Sequence, residues 1–242
     1  MAKNKGNCKI VIEKNGPYLV SGSLPLAAEI IVCDSESIPV KWDKGKRYPL
    51  RENYSLCRCG KSGNAPYCDG THAKTGFDGT ETASRKKYWQ QAKKIAGPTL
   101  VLTDVPNLCA LARFCEKASG VWQLTVDSGD PKARKLAIEE ACNCPSGRLV
   151  EWDRKTEKPI EKKLKPSISL VEDPEEKASG PIWVKGGVPI VSSDGKTYEI
   201  RNRVTLCRCG RSRNKPFCNG THLDIEFTDG DESLKPGKKS RR

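Results

Sequence analysis

Short apolar runs, punctuated by Gly, Pro and Asp-Ser pairs, recur along most of the chain and predict strands. The first run, CKIVIEK, lies within residues 1–15. Further strands are predicted at residues 18–20, 30–32, 39–42, 54–56, 182–184, 197–200 and 204–206. At 242 residues the chain can form one to three small domains, each with a modest core.

The predicted strands fall into two related groups. The sequence GPYLVSGSLPL at residues 16–26 recurs as GPIWVKGGVPI at residues 180–190. Each copy is followed, further along the chain, by the tetrapeptide C-R-C-G. The chain therefore contains an internal repeat of a strand-rich unit, and the first copy has a longer segment before its cysteines.

Residues 104–152 have a different, helical pattern. A helix is predicted to begin at Asp104 or Pro106, with Leu108, Leu111 and Ala112 on one face. A second helix is predicted over residues 130–141, with Asp130 as N-cap and a proline at its first position. The charged, proline-rich residues 153–179 are expected to form a linker, and residues 229–242 a basic disordered tail.

Composition narrows the protein class. The net charge is +13, hydrophobic residues make up 36%, and no run of 18 apolar residues is present, so we expect no membrane span. Twelve cysteines without an apolar leader after MAKNKGNCKI favour a reduced, cytoplasmic, metal-binding protein over a disulfide scaffold. Basic residues are not interleaved with aromatic ones, so nucleic acid is not an expected partner.

The residues with metal-binding chemistry form two copies of one pattern, C-x-C-x8-C-x3-H. The first motif (residues 57–72) contains Cys57, Cys59, Cys68 and His72. The second motif (residues 207–222) contains Cys207, Cys209, Cys218 and His222. These are the only two histidines of the chain. Three thiolates and one imidazole suit zinc or an iron–sulfur cluster, and the tight C-x-C pair favours the cluster without excluding zinc.

Both motifs resemble the CDGSH iron–sulfur domain of the NEET proteins, whose signature is C-x-C-x2-S-x3-P-x-C-D-G-[ST]-H. The first motif matches throughout, including Ser62, Pro66 and Asp69, whereas the second has Asn219 in place of the Asp. The resemblance implies a [2Fe–2S] cluster with three Cys ligands and one His ligand in each motif. Gly60 and Gly210 are expected where the backbone approaches the cluster closely or takes a positive φ. Asp69 and Asn219 are expected to cap a short helix.

The family's single-motif members pair as dimers with interlocked strands, so this chain looks like such a dimer fused. The resemblance implies an α+β fold in which residues 16–90 and 180–228 form one pseudo-symmetric β-rich unit. The expected regions are 1–100 for the first unit, 104–152 for an insert, 153–179 for the linker and 180–228 for the second unit. On this basis we expect a monomeric pseudo-dimer.

Four further cysteines in the insert have the spacing C-x5-C-x26-C-x-C-P. With the predicted helices, they resemble the divergent single-cluster ferredoxins, in which Ala112 would replace the central cysteine. The resemblance implies a third cluster, [3Fe–4S] or [4Fe–4S], on Cys109, Cys115 and Cys144, with Cys142 as a candidate fourth ligand. The alternative is a helical spacer with incidental thiols. Cys8 and Cys33 lie outside any ligand spacing.

Three functions are compatible with these predicted ligand sets. The first is electron transfer or redox sensing with a redox partner, and the second is storage of clusters and their donation to apo-proteins. A structural zinc module is the third. We do not expect an enzyme, because the sequence has no nucleotide fingerprint or nucleophile motif, and both histidines are already assigned as ligands.

Overall fold

The computed structural model describes residues 8–235 and shows a mixed α+β, strand-rich protein. Its strands are β1 Lys9–Ile12, β2 Tyr18–Ser21, β3 Leu26–Cys33, β4 Pro39–Arg47, β5 Asn53–Leu56, β6 Lys93–Ala96, β7 Leu100–Asp104, β8 Leu149–Asp153, β9 Pro159–Ile160, β10 Ser167–Asp173, β11 Ala178–Lys185, β12 Ile190–Val191 and β13 Arg203–Leu206. Its α-helices are α1 Thr71–Lys74, α2 Tyr88–Gln91, α3 Gly120–Val126, α4 Pro131–Asn143 and α5 Thr221–Asp224. Turns of 3₁₀ helix lie at Pro106–Leu108, Phe114–Glu116 and Glu232–Leu234.

Two of the three sheets combine strands from both ends of the chain. The first sheet has the order β12-β1-β2-β5, and the second has the order β13-β11-β10-β3-β4. In the first, β1 pairs in parallel with β12, and Ile10 is opposite Ile190. In the second, β10 pairs in parallel with β3, and Ile168 is opposite Leu26. Each half of the chain therefore contributes a strand to the other half's sheet.

The strands that lead into the two motifs pair in the same register. β2 is antiparallel to β5, with Tyr18 opposite Leu56, one residue before the first motif. β11 is antiparallel to β13, with Ile182 opposite Leu206, one residue before the second motif. The internal sequence repeat is thus also a repeat of strand pairing.

One apolar core lies between these two sheets. Its members come from the inward-facing positions of strands in both, and most are less than 5% exposed. The alternation of buried and exposed residues in β1 and β2 is the period-two pattern of a sheet with one covered face. The core includes Ile10, Tyr18, Leu26, Leu56, Ile168, Ile182, Ile190 and Leu206.

The insert, defined here as residues 93–160, forms the third sheet, of order β6-β7-β8-β9, with α3 and α4 packed on it. The predicted second helix is confirmed as α4. Asp130 is its N-cap and accepts hydrogen bonds from the backbone N–H groups of Lys132 and Ala133, and Pro131 is its first residue. Leu100 and Ala137 are fully buried where the helix meets the sheet.

The predicted linker over residues 153–179 is wrong, because this range contains the strands β9 and β10. β9 extends the insert's sheet, and β10 lies inside the second sheet between β11 and β3. Ile168, Leu170 and Val171 are each 1% exposed. The charged and proline-rich flanks hide this short apolar run in the sequence. The insert's sheet also begins at Lys93, within the range assigned to the first unit.

Other expectations need correction as well. The helix expected from Asp104 or Pro106 is instead two 3₁₀ turns, because Leu111 and Arg113 adopt positive φ angles of 52° and 57° that an α-helix does not accommodate. Residues 197–200 form only an isolated bridge, between Val191 and Thr197. The predicted tail is ordered over residues 229–235, and residues 236–242 lie outside the described part of the chain. Within residues 8–235, none of the helices is long and apolar enough to cross a membrane.

Candidate metal centres

In the first motif, backbone hydrogen bonds hold the segment that contains the third cysteine against the segment that contains the first. The N–H of Cys57 donates to the carbonyl of Pro66 at 2.8 Å, and the N–H of Cys68 donates to the carbonyl of Ser55 at 2.9 Å. Cys57 Sγ lies 3.7 Å from Cys59 Sγ. Cys68 Sγ lies 3.3 Å from Nδ1 of His72, which is on α1. The four predicted ligands therefore come together as two pairs.

The second motif repeats this geometry. The N–H of Cys207 donates to the carbonyl of Pro216 at 2.7 Å, and the N–H of Cys218 donates to the carbonyl of Thr205 at 2.9 Å. The Sγ atoms of Cys207 and Cys209 are 3.8 Å apart. Cys218 Sγ lies 3.5 Å from Nδ1 of His222, which is on α5.

The distances within the thiol pairs fit ligation of a shared metal. Two thiolates on one tetrahedral metal, with metal–sulfur bonds near 2.3 Å, have sulfurs about 3.8 Å apart. The Cys57–Cys59 and Cys207–Cys209 pairs have this separation. Among the described residues 8–235, no group of three or more His, Cys, Asp or Glu surrounds a single-ion position.

Side chains at two further positions of the motifs stabilise the loops by hydrogen bonds to the backbone. Ser62 Oγ donates to the carbonyl of Tyr67 at 2.6 Å, and Ser212 does the same to Phe217 at 2.7 Å. Asp69 accepts from the N–H groups of Gly63 and Thr71, and these hydrogen bonds hold the pKa of its carboxyl at about 2.

The predicted helix-capping role of these positions needs a correction. The N-cap residues are Gly70 and Gly220, both with positive φ. The side chain of Asp69 accepts from the first helical N–H instead, and Asn219 accepts from the N–H of Thr221 at 3.3 Å. The first motif therefore has a carboxylate where the second has a neutral amide.

The two motifs touch each other through the glycines that follow their C-x-C pairs. A Cβ on Gly60 would lie 2.6 Å from the carbonyl oxygen of Cys209, and one on Gly210 would lie 2.5 Å from the carbonyl oxygen of Cys59. Both glycines also have positive φ, of 71° and 76°. The expected positive φ is confirmed, and the close approach that requires glycine here is to the other motif.

The ligand sets differ in burial. Cys218 and His222 are 3% and 4% exposed, whereas Cys68 and His72 are only half-buried. Burial, with added effects of the Arg208 and Arg113 charges, lowers the pKa of His222 to about 4. Burial also raises the pKa of the Cys68 thiol and raises that of Cys59 to about 11. Metal uptake at neutral pH would thus displace protons from these thiols.

A buried arginine inside each C-x-C pair was missed by the sequence reasoning. Arg58 is 2% exposed and donates to the carbonyls of Glu13 and Gly79, at 3.3 and 2.5 Å. Arg208 is 4% exposed and pairs with two carboxylates instead, Glu172 at 2.7 Å and Asp229. The arginine could have been singled out from the sequence, because C-R-C-G is identical in both motifs.

A phenylalanine lies five residues after the histidine of each motif. Phe227 is 8% exposed and packs with Cys207 and Cys209. Phe77 is half-buried and stacks under the Arg58 guanidinium, 5.7 Å from the ring centroid.

A basic groove of about 580 Å³ lies where the two motifs meet. Cys59 and Gly210 form part of its lining. Its charged residues are four basic side chains and one acidic, namely Lys61, Arg211, Arg213, Lys215 and Asp78. This charge distribution favours anionic partners and solutes.

The structure also brings together three cysteines of the insert. Cys109, Cys115 and Cys144 line one cavity with Arg148, and we call them the three-cysteine site. Burial, with the neighbouring Cys144 and Cys109, raises the pKa of Cys115 to about 12. Arg148 is held there by Asp104 through hydrogen bonds of 2.6 and 2.8 Å. A guanidinium beside three thiols suits an anionic bound group.

The remaining cysteines lie elsewhere. Cys142 Sγ is directed to the carbonyl of Ile160 at 3.6 Å and lines a different cavity, so it does not join the three-cysteine site. Cys8 packs at the edge of the main core. Cys33 lies 3.9 Å from Nη2 of Arg113.

Comparison with protein-family models agrees with this arrangement. Residues 15–73 and 179–223 match the family described as "Iron-binding zinc finger CDGSH type". Residues 95–154 match the family described as "Divergent 4Fe-4S mono-cluster". Searches of curated proteins and of solved structures gave no significant match. The chain thus has two regions similar to the CDGSH type on either side of a region similar to the divergent 4Fe-4S mono-cluster type, and these matches support iron–sulfur cluster binding.

Proposed function

We propose that each CDGSH-type motif holds a [2Fe–2S] cluster and that the protein acts in electron transfer or redox sensing. The observation that carries this proposal is the division of each ligand set into two pairs, Cys57 with Cys59 and Cys68 with His72. A two-iron cluster takes two protein ligands on each iron, whereas zinc takes all four on one ion. When bound, such a cluster accepts and releases single electrons.

The chain supplies the environment that sets the ease of reduction. The N–H groups of Gly70 and Gly220 donate to the Sγ atoms of Cys68 and Cys218, at 3.5 and 3.4 Å. Hydrogen bonds to ligand sulfurs stabilise added negative charge and favour reduction. The buried guanidinium of Arg58, which donates only to backbone carbonyls, acts in the same direction, whereas the charge of Arg208 is offset by Glu172 and Asp229.

The pairing of strands supports a monomeric pseudo-dimer. The parallel pairs β1–β12 and β10–β3 exchange strands between the two halves reciprocally. The contacts of Gly60 with Cys209 and of Gly210 with Cys59 are reciprocal as well. We therefore propose one pseudo-symmetric unit built from both CDGSH-type regions, of the isologous kind that a two-fold dimer would have.

The three-cysteine site would hold the third cluster. Three thiolates suit a [3Fe–4S] cluster, or a [4Fe–4S] cluster with one non-cysteine ligand. Because Cys142 lies elsewhere, it is not proposed as that ligand. The Arg148 guanidinium would offset the negative charge of three thiolates.

A second function, donation of clusters to apo-proteins, is favoured by one observation. Cys68 and His72 of the first motif are half-buried and accessible, so an incoming thiol could reach them. Neither function requires catalysis by the chain, and we propose a carrier or donor and not an enzyme.

The ligand assignment is tested by the double variant Cys68→Ser, Cys218→Ser. We expect it to lose the visible absorption and EPR signals of both [2Fe–2S] clusters, because each loses a ligand. Iron and sulfide per chain should fall accordingly in anaerobically purified protein. A colourless wild-type protein that contains zinc would refute the cluster proposal, and an unchanged spectrum of the variant would refute the ligand assignment.

A further inference from the structure

The insert covers one CDGSH-type motif and leaves the other open. The insert loop, residues 109–113, connects two 3₁₀ turns and lies against the second motif. A Cβ on Gly220 would lie 2.5 Å from Cδ1 of Leu111, whereas a Cβ on the equivalent Gly70 would have none of residues 8–235 within 4 Å. The same glycine of the same motif is therefore covered in one copy and free in the other.

The cover extends beyond this glycine. Asn214 in the second motif donates from Nδ2 to the carbonyl of Asn107 at 2.8 Å, whereas its counterpart Asn64 is exposed. Cys218 and His222 consequently lose nearly all solvent contact, while Cys68 and His72 keep a part of theirs. The difference in burial between two nearly identical motifs thus has its source in the insert.

Cys109, which lies in the same insert loop as Leu111, is beside the second motif and also belongs to the three-cysteine site. The carbonyl oxygen of Cys109 lies 3.7 Å from the position of a Gly220 Cβ, and its thiol lines the cavity shared with Cys115 and Cys144. The backbone and side chain of a single residue therefore separate the two sites.

The insert loop is fixed in this position at its far end. Arg113 donates two hydrogen bonds to the Asp173 carboxylate, at 2.7 and 3.3 Å, where the exposed fractions of the two side chains are 14% and 4%. Phe114 stacks on Trp42 with ring centroids 4.6 Å apart. Bidentate, largely buried pairing and aromatic stacking together hold the loop on the second sheet.

We propose that the three-cysteine site and the second motif exchange electrons within the chain, and that the first motif is the one reached by an external one-electron carrier. The inference rests on the clusters proposed above. In each exchange one electron leaves one of these two centres, which is oxidised, and enters the other, which is reduced, so that electrons enter or leave the chain through the carrier at the first motif. A second transfer of the same kind passes between the motifs, whose backbones meet at Gly60 and Gly210. No atom or proton moves in either step.

The internal pair is tested by EPR of fully loaded protein, poised at a potential where the three-cysteine centre and the second-motif centre are both paramagnetic. A paramagnetic neighbour should broaden the three-cysteine signal and speed its relaxation. We expect this effect to persist in Cys68→Ala, which loses the first cluster, and to be lost in Cys218→Ala, which loses the second. An effect that is absent from wild type, or that disappears in Cys68→Ala but not in Cys218→Ala, overturns the inference.

The rate of iron release to an excess of chelator tests whether the insert loop covers the second motif, and this test removes no ligand. Wild type should release iron in a fast phase, absent from Cys68→Ala, and a slower phase from the covered sites. Leu111→Ala should accelerate the slow phase only, and Val126→Ala, the same kind of change at an exposed insert residue, should not. Unchanged slow release in Leu111→Ala overturns the cover.

Iron content separates the two levels of proposal. If a fully loaded chain contains only the iron of the two motifs, both the proposed third cluster and the proposed electron exchange are refuted. If a third cluster is present but its electron-spin relaxation does not depend on the second motif, only the proposed electron exchange is refuted.

Discussion

Replacing Glu140 with Gln should stabilise the protein at alkaline pH and have little effect at pH 5. Glu140 lies in α4 and is 2% exposed, and within the described residues neither carboxylate oxygen has a hydrogen-bond partner. Burial raises its pKa from 4.5 to about 8, although Lys117 opposes the shift. A buried carboxylate without partners is costly only when it is ionised.

The sign follows from the direction of the shift. The folded protein holds this proton more tightly than the unfolded chain, so the stability that it provides is complete below pH 4.5 and is lost as pH rises through about 8. At about 1.4 kcal/mol per pH unit, the whole shift corresponds to about 5 kcal/mol. Water entry and side-chain relaxation would reduce that penalty, so we expect Glu140→Gln to add about 2–3 kcal/mol at pH 8.5.

Urea unfolding of the cluster-loaded protein, followed by tryptophan fluorescence at pH 5 and pH 8.5, measures the effect. The matched control is Glu139→Gln, which makes the same charge change at the adjacent exposed position of the same helix. The reasoning is refuted if Glu140→Gln changes the free energy of unfolding equally at both pH values, or if Glu139→Gln shows the same pH dependence.

Two further predictions concern the proposed clusters. The double variant His72→Cys, His222→Cys should lower both midpoint potentials in a redox titration, because each thiolate adds a negative charge that a neutral imidazole lacks; unchanged potentials would contradict this. Arg211→Glu in the basic groove should slow oxidation of the reduced protein by ferricyanide, an anionic probe, at low salt more than at high salt. Lys155→Glu in the insert is the control, and equal slowing by both would argue against the groove.

The ligand sets were predictable because their chemistry is local in the sequence. The spacing of Cys57, Cys59, Cys68 and His72 is short enough that a hairpin-like loop and one helical turn bring them together. The α4 boundary was predictable for a similar reason, since Asp130 and Pro131 satisfy the free N–H groups of a helix start within three residues.

The errors arise where distant contacts decide the structure. β10 is a strand because β3 and β11 flank it, and those partners are not visible from its own charged surroundings. The burial of His222 relative to His72 was equally hidden, because it depends on Leu111, which lies far from both in the sequence. Two motifs with nearly identical residues gave no sign that their environments differ.

The parallel pairs β1–β12 and β3–β10 also constrain how the chain can acquire its structure during synthesis. The partner of β1 is Ile190–Val191, so the first sheet stays incomplete until most of the chain has left the ribosome. The insert, by contrast, pairs only strands between Lys93 and Ile160, and such local contacts form early. We therefore expect the insert to fold first. Until their partners are synthesised, the apolar edges of β1 and β3 remain unpaired and prone to aggregation. Separate expression of residues 8–92 would leave those edges permanently without their partners.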